Sequence, residues 1–145
     1  MRKYAIITDS TSDLNHELRT KYQIDYCQMN INNQGKEYPA SLDWEIYSAK
    51  ELYDWMRGGI SIKTTQVPYK EFYLKFKSYL EQDMDILYLS CSSALSGSIN
   101  TALSVKNELI ELIKMVQDEM YPTDTNASSS SLDASFGSAV PSGAR

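Results

Sequence analysis

Lys3-Tyr4-Ala5-Ile6-Ile7-Thr8-Asp9-Ser10-Thr11-Ser12-Asp13 is a short apolar run that breaks into a cluster of turn and cap formers. The same grammar returns at Ile86-Leu87-Tyr88-Leu89, followed at once by Ser90-Cys91-Ser92-Ser93. Neither run alternates cleanly, which is the pattern of a strand buried on both faces. Each is followed by a helical segment. Residues 13–22 suit a short helix with an Asp or Ser cap, and a long helix from Ser98 carries Ile99, Leu103, Leu109 or Ile110, Ile113, Val116 and Met120. Strands alternating with helices predict an α/β fold with a mostly parallel sheet and flanking helices.

The intervening chain fits that frame. Residues 25–32 alternate Tyr26, Gln28 and Asn30 against Cys27, Met29 and Ile31, as one half-buried strand would. Asn33-Gln34-Gly35 is a turn, and Lys36 to Tyr38 returns as an edge strand. Ser48 caps a helix with the stripe Leu52, Tyr53 and Met56, ended by Gly58-Gly59. Tyr69, Phe72, Tyr73, Phe76, Tyr79 and Leu80 recur at helical spacing and predict an amphipathic helix over 69–80.

The chain has 145 residues, 42% hydrophobic and 23% charged, enough for one packed domain. Composition changes near Pro122. From Thr123 to Arg145 there are seven Ser, two Gly and a single aromatic, Phe136. Such a segment has too little apolar area to offset ordering entropy, so 1–121 is expected to be the folding unit and 122–145 a Ser-rich disordered tail. A net charge of −5 without basic clusters argues against a nucleic-acid partner. No stretch approaches the ~18 apolar residues of a transmembrane helix. Tyr4-Ala5-Ile6-Ile7 is too short for a signal peptide's apolar core. Two distant cysteines, Cys27 and Cys91, suit a reduced cytoplasm.

In open α/β sheets, ligands sit beyond the carboxyl ends of the strands. Three segments are expected to line one such mouth: Asp9 to Asp13, Lys63 to Pro68, and Ser90 to Ser98. In the third, Ser92, Ser93, Ser96 and Ser98 supply hydroxyls, and Gly97 admits close backbone approach. The enzyme patterns each lack a part. Ala94-Leu95-Ser96-Gly97-Ser98 misses the first glycine of a nucleophile elbow, His16 is the only histidine, and no glycine-rich phosphate loop is present. Asp9 and Asp13 without further carboxylates read as a loop and a helix cap rather than a metal site. A small hydrolase or phosphotransfer protein using Asp9, Ser96 or His16 is the alternative reading, and a non-binding fragment a third.

Taken together, Ile7-Thr8-Asp9-Ser10-Thr11-Ser12-Asp13-Leu14, Lys63-Thr64-Thr65-Gln66-Val67-Pro68 and Ser92-Ser93-Ala94-Leu95-Ser96-Gly97 resemble the DegV family of bacterial fatty-acid-binding proteins. Gly35-Lys36-Glu37-Tyr38 and Phe72-x3-Phe76 resemble the family's connecting segments. The resemblance covers roughly residues 3–110 and implies the family's N-terminal (EDD-like) fold. It implies a carrier with no catalytic residues and no cofactor, whose ligand is one long-chain fatty acid. By motif, Thr64, Thr65, Ser92, Ser93, Ser96 and Gly97 would hold the carboxylate, with Asp9, Ser10 and Thr11 as a supporting loop. Neutral hydroxyls and backbone N–H groups suit that task, because they leave no unpaired cation behind. The implied partner is a separate ATP-dependent fatty-acid kinase, with transient contact to a membrane surface. Family members are about twice this length, and a second domain closes their acyl tunnel. Ser131-Leu132-Asp133-Ala134-Ser135-Phe136-Gly137 is similar to the family's next loop without the preceding apolar strand, so the chain resembles a truncated N-terminal part.

Overall fold

The first strand, β1 (Lys3–Asp9), runs parallel to a strand on each side, β2 (Ile24–Cys27) and β6 (Met84–Tyr88). The order β2-β1-β6 makes it the central strand of a three-stranded parallel sheet. The computed structural model describes residues 3–120, and the expected tail, 122–145, lies outside them. Between β2 and β6 the chain forms β3 (Asn30–Asn33), β4 (Lys36–Pro39), α2 (Ala49–Arg57), β5 (Ile62–Thr64) and α3 (Tyr69–Leu80). Helix α1 (His16–Tyr22) precedes β2, and α4 (Ser98–Met120) follows β6. Strands β3, β4 and β5 form a second, antiparallel sheet in the order β4-β3-β5.

Pleating sorts the parallel sheet into two faces. Ala5, Ile7 and Asp9 lie level with Ile86, Tyr88 and Cys27 on one face. Phe72 and Phe76 of α3 and Ala102, Val105 and Leu109 of α4 join them in the core. Tyr88 stands edge-on to Phe72, with ring centroids 5.1 Å apart, a favourable aromatic geometry. The other face is covered at β2 by α1, where Arg19 is buried over the Tyr26 ring. Near β6 it is open: Tyr4 is 61% exposed and Leu89 49%. Burial on two faces is therefore corrected for β6, which has one covered face, whereas β1 is buried on both toward its carboxyl end, with Ile6 half-buried and Thr8 buried.

Other expectations also change. The segment 25–32 is two strands in different sheets, because the chain turns at Gln28-Met29 and leaves the parallel sheet. The first helix starts later than expected. Ser10–Ser12 is a 3₁₀ turn capped by Asp9, Asp13 takes left-handed backbone (φ 53°), and Asn15 caps α1 by accepting the Leu18 N–H at 2.9 Å. On α4 the buried stripe is Ala102, Val105 and Leu109, whereas Leu103, Ile113 and Val116 are exposed. The small Ala102 lets the helix approach the core closely, so the largest side chains did not mark the inner face. On α2, Leu52 and Trp55 are half-buried, while Tyr53 and Met56 face outward. Ser48 caps α2 with a full capping box, and α3 spans 69–80 as its spacing predicts.

Candidate functional site

All three loops singled out from the sequence follow strand ends, and each is tied to its surroundings by side-chain bonds. In the first loop, Asp9 is fully buried. Its carboxylate accepts the Thr11 N–H at 2.9 Å, the Thr11 hydroxyl, and the Tyr88 hydroxyl at 2.5 Å. Burial first, and then this bond to Asp9, pushes the Tyr88 phenol far above its ordinary range, so Tyr88 stays a donor. Thr8 donates to the Leu89 carbonyl at 3.0 Å, which fastens the loop to the end of β6. Ser10 donates to the Ala40 carbonyl at 2.6 Å and accepts the Met29 N–H at 3.2 Å, which fastens it to the antiparallel sheet. These polar groups hold the loops in place.

The second loop leaves β5. Thr64 is exposed and lies opposite Ile31 of β3. Thr65 turns back, its hydroxyl 3.4 Å from the Asn30 carbonyl and its N–H bonded to the same carbonyl at 2.9 Å. At Val67 this loop meets the third. The Val67 N–H, fully buried, donates to Ser98 Oγ at 3.1 Å across 31 residues of sequence. One residue earlier, Gln66 lies against Gly97 so closely that a Cβ there would sit 2.3 Å from Gln66 Oε1. A side chain at 97 would displace the Gln66 amide, so Gly97 permits this contact between the loops.

The third loop is a tight turn followed by a helix start. Ser92 Oγ accepts the Ala94 N–H at 3.2 Å, and its carbonyl accepts the N–H groups of Leu95 and Ser96. Ser96 Oγ accepts the Ser98 N–H at 3.2 Å and lies 3.0 Å from Ser98 Oγ. Ser93 is exposed, and Ser96 half-buried. Two grooves lie on the surface, one beside this turn and the other along α3. One of about 400 Å³ is lined by Gln66, Tyr69, Gly97, Asn100, Thr101 and Ser104, and of the expected carboxylate residues Gly97 alone lines it. The larger, about 480 Å³, lies at Asp25, Lys75 and Tyr79, whose polar groups already pair with one another.

The residues of the enzyme alternative are engaged elsewhere. His16 lies on α1 with Asp43 at 3.6 Å and Thr20 at 3.4 Å, while Asp9 is surrounded by donors. Strands β2 and β6 flank β1 on opposite sides, so α1 and the Ser96 loop adjoin opposite edges of the sheet. Among the described residues, no group of three or more His, Cys, Asp or Glu is placed to hold a metal ion, and no helix is long and apolar enough to cross a membrane. Sequence reasoning did not mark Gln66 and Tyr88 as site-building residues. Their signal is positional: Gln66 stands inside the quoted Lys63–Pro68 run, and Tyr88 is the one hydroxyl on the inward face of β6.

The profile of an uncharacterised protein family, DegV, matches residues 3–139. The chain belongs to the DegV family. A DegV domain-containing protein of Clostridium perfringens is 36% identical over 127 residues, covering 88% of this chain and 43% of that protein. A DegV domain-containing 15.5 kDa protein of Staphylococcus aureus is 33% identical, with 74% of each chain covered. Among solved structures, a DegV family protein from Thermus thermophilus described for its fatty-acid binding superposes with a TM-score of 0.65 at 30% identity. It covers 75% of this chain and 38% of its own. A Thermotoga maritima protein described as having a fatty-acid binding function gives 0.65 at 31%, covering 74% of this chain and 40% of its own. The chain thus spans about two-fifths of the length of these longer DegV relatives.

Proposed function

We propose that this DegV chain forms the carboxylate end of a long-chain fatty-acid site, built where the β5 loop meets the turn before α4. The observation that carries the reading is the Val67–Ser98 bond with Gln66 seated on Gly97, in a chain about 30% identical to two fatty-acid-binding DegV proteins. Residues 1–121 serve as the folding unit. Thr64, Ser93 and Ser96 offer hydroxyls to the carboxylate; Thr65, Ser92 and Gly97 shape the loops, and Asp9, Ser10 and Thr11 brace them. The role is that of a carrier. It presents the carboxylate to a separate ATP-dependent fatty-acid kinase in the cytoplasm, with transient contact to a membrane surface during uptake.

The chemistry is consistent with this. A carboxylate gains strong, charge-assisted hydrogen bonds from hydroxyl donors. The test is titration with a fluorescent fatty acid against the unsubstituted chain and Ser96→Ala. Loss of one donor to a charged acceptor should weaken binding by roughly 1–3 kcal/mol. Equal affinities for the two proteins would remove Ser96 from the site.

A further inference from the structure

Ser98 is the one hydroxyl of the Ser90–Ser98 loop that is almost fully buried, at 2% exposure. It cannot touch a ligand at the surface, yet it sits between two groups that matter. Its Oγ accepts the Val67 N–H at 3.1 Å and lies 3.0 Å from the hydroxyl of Ser96, which donates to it. The Ser98 N–H in turn donates to Ser96 Oγ at 3.2 Å. Ser96 therefore has its hydroxyl proton directed inward, at Ser98, while part of its surface stays open to solvent.

We propose that Ser98 is a positioning residue that aims the Ser96 hydroxyl at the ligand through a reversible hydrogen-bond relay. The inference rests on the fatty-acid reading of the site and names the regulation of its donor. Both groups are hydroxyls, and either can donate to the other. When a carboxylate arrives, the bond between them reverses. Ser98 then donates to Ser96 Oγ, and the Ser96 proton turns outward to the carboxylate oxygen. Val67 N–H continues to donate to Ser98 throughout, so the buried oxygen keeps a partner in both states. The resulting chain runs Val67 N–H to Ser98 O–H to Ser96 O–H to carboxylate, with every donor pointing the same way. Hydrogen bonds aligned in this manner polarise one another, and a charged acceptor at the end strengthens the series. No proton leaves its oxygen; only the hydroxyl rotors turn.

The experiment is a double-mutant cycle read by affinity for cis-parinaric acid, a fluorescent fatty acid, with thermal unfolding followed in parallel. Ser96→Ala should weaken binding about tenfold or more. Ser98→Ala should weaken it about fivefold in the native background and leave it unchanged in the Ser96→Ala background, because its effect passes through Ser96. Ser98→Thr, which keeps the hydroxyl, should restore affinity to within about twofold. Should Ser98→Ala not fold, Ser98→Cys keeps the volume with a weak donor and enters the same cycle. Equal weakening by the Ser98 substitution in both backgrounds would reduce Ser98 to a brace between loops and overturn the relay. If cis-parinaric acid does not bind the unsubstituted chain, the fatty-acid reading itself falls and the relay falls with it.

Discussion

Asp25 shows how single residues tie α3 to the parallel sheet. Lys75 Nζ approaches its carboxylate at 2.9 Å, the Tyr79 hydroxyl donates at 2.9 Å, and the Tyr26 N–H donates at 2.7 Å. Half-burial alone would raise the Asp25 carboxyl, but the bonds from Lys75, Tyr26 and Tyr79 and the Lys75 charge together hold it below its usual range. The sign of the linkage follows. A carboxyl lowered in the folded state contributes stability that is fully present above the unfolded value, about 3.9, and is lost as pH falls through the lower folded value. Urea unfolding of the native chain should therefore lose stability below about pH 4, and Asp25→Asn should flatten that acid limb while being less stable at pH 7. An identical acid limb in both proteins would show that other carboxylates set it. Asp9 differs in kind, because its donors come from Thr11 and Tyr88 rather than from a cation.

At the scale of elements, the sequence and the structure agree best where periodicity is strong. The six apolar residues of α3 recur over three turns, and that stripe decided both helix ends. The β-α-β grammar of 3–22 and 86–120 was legible for the same reason, since apolar runs ending in hydroxyl loops belong to parallel strands. What was not legible depended on tertiary context. Nothing local says that residues 24–33 divide between two sheets, or that β5 completes the second one with only three residues. The start of α1 was misplaced because Asp9, Ser10, Ser12 and Asp13 all favour caps, and Asn15 stands after them. The loops of the candidate site were legible by motif, whereas the Val67–Ser98 bond, spanning 31 residues, was not. The cap makes a direct prediction. Asn15→Ala should destabilise the protein by about 1 kcal/mol by urea unfolding. Asp13→Asn, which keeps a residue tolerant of left-handed backbone, should change it by no more than a few tenths of a kcal/mol. An Asn15→Ala protein as stable as the native chain would mean that α1 is capped by another residue.

For the molecule as a whole, the question is where an acyl chain would go. The groove beside Gly97 is lined mainly by Gln66, Asn100, Thr101 and Ser104, which offer little to a hydrocarbon. Exposed apolar surface lies elsewhere: Tyr4, Leu87 and Leu89 on the open face of the parallel sheet, and Leu112, Ile113, Met115 and Val116 along α4. Patches of this kind favour self-association, so light scattering should show a mass that rises with concentration. They also predict how affinity depends on ligand length. In a closed apolar tunnel each added CH₂ is worth about 0.8 kcal/mol, so four more carbons improve binding by over about a hundredfold. On the proposed reading, the groove beside Gly97, so lined, is expected to take the carboxylate while leaving much of the tail in water. Titrating saturated acids of twelve to sixteen carbons by displacement should therefore give a gain below about tenfold. A gain near the full tunnel value, from a clean monomer, would place an enclosed acyl path in this chain and reverse the argument.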